Sequence, residues 1–145
     1  MIMIIRQLSV FLENKPGRLC SAIDTLAQEG VNISALTVAD TSEFGILRMI
    51  VDQPELARDV LSASGVVVRI SKVIAVAMDD APGGAGSILH LLSKAGLNIE
   101  YMYACVGKLS GKAIMVIRTD NLELTDDILH LNGYGNINPA EVYRI

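Results

Sequence analysis

The chain has 145 residues, 51% hydrophobic and 19% charged, enough for a packed core in one ordinary domain or two small ones. Twelve basic against sixteen acidic residues leave a net charge of -4, which disfavours electrostatic binding to nucleic acid or anionic lipid. No apolar run approaches the ~20 residues of a membrane helix, and Arg6-Gln7 interrupt the apolar N-terminus with no small-residue cleavage site after them, so a folded cytoplasmic protein without membrane span or signal peptide is expected.

In chain order, residues 2–12 are rich in β-branched and aliphatic side chains and predict a strand ending at Glu13-Asn14. Pro16 has the fixed φ of a helix's first turn, and Leu19, Ala22, Ile23, Leu26 and Ala27 recur at helical spacing, predicting an amphipathic helix that Glu29-Gly30 stops. Val31-Asn32-Ile33 leads into a second strand with Leu36 and Val38. A turn over Asp40 to Glu43 and a third strand over residues 44–51 then complete a hairpin. Pro54-Glu55 open a second helix with Leu56, Val60 and Leu61 inward, and residues 66–70 make a fourth strand. Cys20 and Cys105 lie in apolar-periodic segments without a Cys-x-x-Cys pair, the pattern of buried small hydrophobes and not of a disulfide or a zinc site.

After Ser71-Lys72 the order begins again, with a strand over residues 73–78, a helix over 85–95 carrying Ile88, Leu89, Leu92 and Ala95, and then Gly96-Leu97-Asn98-Ile99. At a shift of 66, eight of the 27 positions in residues 7–33 recur in 73–99, among them Pro16/Pro82, Gly17/Gly83, Gly30/Gly96, Asn32/Asn98 and Ile33/Ile99. Gly45 matches Gly111 at the same shift, whereas Asp52, Val60, Leu61 and Gly65 match Asp120, Ile128, Leu129 and Gly133 at 68, which places a two-residue insertion near the end of the third strand. Each half reads βαββαβ. The fold class expected is α+β, two ferredoxin-like domains over residues 1–71 and 72–145, each an antiparallel sheet with its helices on one face.

The two strand-to-helix corners are the places for chemistry. The unpaired N–H groups of a helix's first turn and the helix dipole attract an anion such as a carboxylate. Gly17 and Gly83 let a ligand approach the backbone, and Asn14 and Asp80 supply short polar groups two residues before the proline. The first corner also carries Lys15 and Arg18; the second, Asp80 to Gly84, has a carboxylate and no cation nearby in sequence. Asn32 and Asn98 can donate to or accept from a zwitterion. Gly83-Gly84-Ala85-Gly86 lacks the spacing of a phosphate loop. His90 falls on the polar side of its helix and His130 near a helix end, with no serine or cysteine arranged as a triad.

Glu13-Asn14-Lys15-Pro16-Gly17 together with Gly30-Val31-Asn32-Ile33 resembles the ACT domain, and the likeness recurs in the second half. It is most similar to the regulatory domain of phosphoglycerate dehydrogenase, with related motifs in the small regulatory subunit of acetolactate synthase. The resemblance implies an amino acid bound between paired domains by Asn14, Pro16, Gly17 and Asn32, and by Asp80, Pro82, Gly83 and Asn98, with Lys15, Arg18, Leu19, Ile33, Gly84 and Ile99 flanking. Leu12 and Met78 stand where the dehydrogenase pattern has histidine, so serine specificity does not carry over, and Asp80 replaces the loop asparagine. The implied protein is a non-catalytic sensor without cofactor or metal, a homodimer that signals to an enzyme or regulator of amino acid metabolism. Pro-Gly and Gly-x-Asn are also sound turn chemistry, which leaves open a structural or assembly subunit that binds nothing.

Overall fold

The computed structural model describes residues 3–40, 44–135 and 137–145, so residue 2 of the expected first strand and residues 41–43 of the expected Asp40 to Glu43 turn lie outside the described residues. The chain divides into two compact units, one of residues 6–71 and one of residues 72–143 that also takes in residues 3–5. The first unit holds β1 (Ile4–Glu13) from Arg6 onward, α1 (Arg18–Gln28), β2 (Ile33–Asp40), β3 (Phe44–Val51), α2 (Pro54–Ala63) and the first part of β4 (Val67–Met78). β3 lies antiparallel between β1 and β2, with Leu47 opposite both Val10 and Val38. Alternate residues of a strand share a face, and here Leu8, Val10, Leu12, Leu47, Met49 and Val51 pack with Ala22 and Leu26 of α1 and Ala57 and Leu61 of α2. Leu19 and Leu56, expected inward, remain 39% and 36% exposed because they sit at the helix starts, beyond that contact.

The expected fourth strand and the first strand of the second half are one strand. Ser71 and Lys72 carry neither a glycine nor a proline to turn the chain, so β4 runs unbroken through them. The second unit continues with α3 (Gly84–Lys94), β5 (Ile99–Leu109), β6 (Lys112–Thr119), α4 (Leu122–Leu131) and the short α5 (Pro139–Val142). β6 lies antiparallel between β4 and β5, and Ile74 and Val76 face buried Ile117 and Met115. No closing strand follows α4 among the described residues, a departure from the expected βαββαβ order. The segment Tyr134 to Pro139 is rich in glycine and asparagine, and Asn138 turns its side chain to cap α5, accepting from Ala140 N–H at 3.0 Å. Beside β4 the chain start pairs instead: Ala75 N–H donates to Met3 O at 2.9 Å, and Met3 N–H donates to the buried Asp126 Oδ1 at 2.9 Å.

The strand register also relocates the insertion. Val38 opposite Leu47 corresponds to Ala104 opposite Met115, and Asp40 opposite Gly45 to Lys108 opposite Ala113. The shift thus changes from 66 to 68 within β5, in a bulge over residues 105–107, and not near the end of the third strand. Gly45 and Gly111 are not equivalents: Gly45 is in β3, whereas Gly111 completes the two-residue turn Ser110-Gly111, with φ 52° and 77°. The bulge admits the C-terminal residue, since a Cβ on Gly107 would come within 2.5 Å of Ile145 Cγ2.

Candidate functional site

At the first corner Arg18 N–H donates to Lys15 O at 3.3 Å, and Gly17, between them, has φ 85° and ψ -12°. Proline and then a left-handed glycine make this a type II turn. Pro16 and Gly17 therefore precede the helix that was expected to start at Pro16, because a left-handed residue cannot belong to a right-handed helix. Gly17 is the N-cap and offers its carbonyl to Ser21 N–H at 2.9 Å, but no side chain caps the first turn. Residues 13–20 are all exposed, so the first-turn N–H groups of Leu19 and Cys20 are open to a ligand. Lys15 pairs with Glu13 at 3.0 Å, and it and the Arg18 charge hold the Glu13 carboxyl below its ordinary value.

The second corner repeats this geometry. Gly84 N–H donates to Ala81 O at 3.0 Å, Gly83 has φ 86°, and Ser87 N–H reaches Gly83 O at 3.0 Å. Its electrostatics differ from the sequence reading, which saw no cation there. Lys108 of β5 lies 2.6 Å from Asp80, and Lys112 of β6 lies 3.1 Å from Asp79. The Lys108 ammonium, bonded to Asp80, holds that carboxyl below its ordinary value. Gly84 has a separate reason to be glycine: a Cβ there would run into the carbonyl oxygen of Asp79.

Asn32 and Asn98 follow Schellman ends. Val31 N–H bonds to Leu26 O and Leu97 N–H to Leu92 O, both at 3.0 Å, with Gly30 and Gly96 left-handed. Each asparagine is then fixed through its backbone. Asn32 N–H donates to Asp52 Oδ1 at 2.9 Å while Asp52 N–H returns to Asn32 O at 3.1 Å, and Asn98 and Asp120 do the same at 3.1 and 3.3 Å. Both asparagines are exposed, whereas Ile33 and Ile99 are half-buried. A bulge follows in each unit, at Ser34 and Glu100, 66 residues apart. Asp52 and Asp120 are the positioning residues that sequence reasoning matched as repeats but gave no role. Asp52→Ala should lower stability by about 1 kcal/mol, the net worth of one hydrogen bond; a urea midpoint unchanged from the parent protein would refute that role.

Within one unit the corner and the asparagine lie at opposite ends of the sheet. β1 ends at Glu13 opposite Phe44, and β2 begins at Ile33 opposite Val51, seven residues along β3, about 23 Å at ~3.3 Å per residue. In the second unit Met78 faces Ala113 and Ile99 faces Thr119, six residues along β6, about 20 Å. Asn14 to Leu19 therefore form one cluster and Asn32-Ile33 another, as do Asp80 to Gly84 and Asn98-Ile99.

Among the described residues no group of three or more His, Cys, Asp or Glu could hold a metal, and no helix is long and apolar enough to cross a membrane. Cys20 is not buried as expected. It lies on the outer side of α1, where its thiol donates to Asp24 at 3.5 Å, while Cys105 is half-buried and burial pushes its thiol up to about 11. His90 is exposed, and His130 Nδ1 lies 2.9 Å from the Asp126 carbonyl oxygen. A cavity of about 300 Å³ in the second unit is lined by none of the candidate residues. Its walls come from three separate stretches of chain, around residue 77, over 109–112 and over 133–141, so no local motif could have announced it.

Comparison with known proteins identifies the architecture. The ACT domain pair family matches residues 3–144. The fold is shared with protein BT0572 from Bacteroides thetaiotaomicron, at 35% identity and a TM-score of 0.91 over 99% of both chains. It is also shared with the regulatory subunit of aspartate kinase from Thermus thermophilus, at 14% identity and a TM-score of 0.63 over 92% of this chain and 99% of that one. The corresponding subunit from Thermus flavus gives 15% identity and a TM-score of 0.59 over 90% and 93%. No curated protein matched. Two βαββα units with matching Pro-Gly corners, covered almost end to end by one family, place this chain in the ACT domain pair family.

Proposed function

We propose that this ACT domain pair is a non-catalytic regulatory sensor: domains of residues 1–71 and 72–145 bind a small free amino acid and pass its occupancy to a separate enzyme or regulator. The carrying observation is the pair of uncapped helix N-termini, each behind the same type II turn, the first exposed throughout and the second exposed up to Gly83 with residues 84–86 half-buried. Such an end favours a carboxylate without needing a charged side chain. The distance between corner and asparagine within each unit supports a site that joins the corner of one ACT-like domain to the strand asparagine of another. We propose a cytoplasmic homodimer, and an enzyme of amino acid metabolism as its target; the Thermus proteins of this fold are named as regulatory subunits of aspartate kinase.

Calorimetric titration of the full chain with each of the twenty amino acids tests the reading. One of them should bind, and Asn14→Ala should weaken it about tenfold to hundredfold, the worth of a hydrogen bond to a charged group. Asp80→Asn should change affinity less, because Lys108 already neutralises that carboxylate. The turn chemistry of both corners is complete without a ligand, so heats of zero throughout would favour an assembly subunit that binds no amino acid.

A further inference from the structure

The cavity of about 300 Å³ lies where the Ser110-Gly111 turn, the end of β4 and the segment after α4 come together. We propose that it is a second binding site, for a free α-amino acid with an apolar side chain, independent of the helix corners. Leu109 and Ile137 give it apolar wall, and Lys112 and Glu141 line it with opposite charges. A ligand bearing only a carboxylate would satisfy Lys112 and face Glu141 unfavourably; one bearing only an ammonium would do the reverse. A zwitterion answers both. The volume is at the small end of ligand pockets, which suits an amino acid better than a nucleotide or a peptide.

Both charges can be recruited. The Glu141 carboxylate has no hydrogen-bond or ion-pair partner among the described residues. Lys112 is tied to Asp79 at 3.1 Å, but their side chains are 54% and 74% exposed, so the pair is weak. An ammonium with three protons can keep Asp79 and still donate to a ligand. Ser110 is an independent sign. It is the one non-glycine residue with positive φ among the described residues, at 52°, in a turn whose first central position favours asparagine, aspartate or glycine. The hairpin alone gives no reason for serine there, Ser110 is one of the residues that line the cavity, and backbone strain gathers at ligand sites.

Amide spectra of the isotope-labelled full chain, titrated with valine, leucine and isoleucine, test the site. N-acetylvaline, lacking the ammonium, and valinamide, lacking the carboxylate, serve as controls. Shifts should appear at Ser110, Gly133 and Tyr134, and Glu141→Gln, Lys112→Met and each valine derivative should weaken binding by about tenfold or more. Equal binding of the three valine forms, or no shift at those amides, would overturn the site. Shifts at Gly17, Leu19 and Gly83 report the corners separately: corner shifts alone would overturn the cavity site and leave the sensor reading intact, and cavity shifts alone would support the cavity site, with the sensor reading decided by the titration of all twenty amino acids.

Discussion

Leu26→Ala should destabilise the first unit by about 2–5 kcal/mol, the cost of a truncated leucine in a core that cannot close over the gap. Leu26 is 0% exposed and packs with Leu8, Val10, Leu47 and Leu61, drawn from two strands and the other helix. Its backbone is fixed as well: Leu26 O accepts from Glu29 N–H at 3.2 Å and Val31 N–H at 3.0 Å, so α1 cannot slide inward without breaking its own end. Leu92, its repeat partner, is also 0% exposed and accepts from Leu97 N–H at 3.0 Å, and Leu92→Ala should cost a similar amount. Urea denaturation followed by circular dichroism measures both. A loss under about 1 kcal/mol would mean that the core relaxes around the missing methyls.

Gly84→Ala should cost about 3 kcal/mol, the upper part of the overpacking range. The added Cβ meets the carbonyl oxygen of Asp79, a backbone atom that cannot rotate aside. Relief requires β4 and α3 to part at the corner, which also strains the Asp79–Lys112 and Asp80–Lys108 pairs. Arg18 holds the equivalent position of the first corner and already carries a Cβ, so Arg18→Ala should change stability by no more than about 0.5 kcal/mol, as at other surface sites. Equal melting temperatures for the two variants would show that the corners close in the same way.

Much of the fold was legible because the repeat doubled every signal. Gly30 and Gly96 end their helices as read, and the period-two pattern of Leu8, Val10 and Leu12 does face the helices. What stayed hidden depended on strand register. Asp52 reaches Asn32 and Lys108 reaches Asp80 across 20 and 28 residues of sequence, and nothing in either neighbourhood marks the partner. Pro16-Gly17 misled in another way: proline suits both a helix's first turn and the second position of a type II turn, and the left-handed glycine decides for the turn. The lack of a closing strand among the described residues was legible in principle, since the sequence Tyr134 to Pro139 is turn-forming, but the strength of the repeat overrode the local composition.

The bond from Met3 N–H to Asp126 Oδ1 spans 123 residues of sequence. A contact of such range closes nearly the whole chain into a single loop, and its entropic cost falls on the step that finishes the second unit, not on any local hairpin. During synthesis Met3 thus stays without its partners until Ala75 and Asp126 have emerged. The second unit can complete itself only after α4 has left the ribosome, while the strands and helices of residues 6–71 are all available earlier.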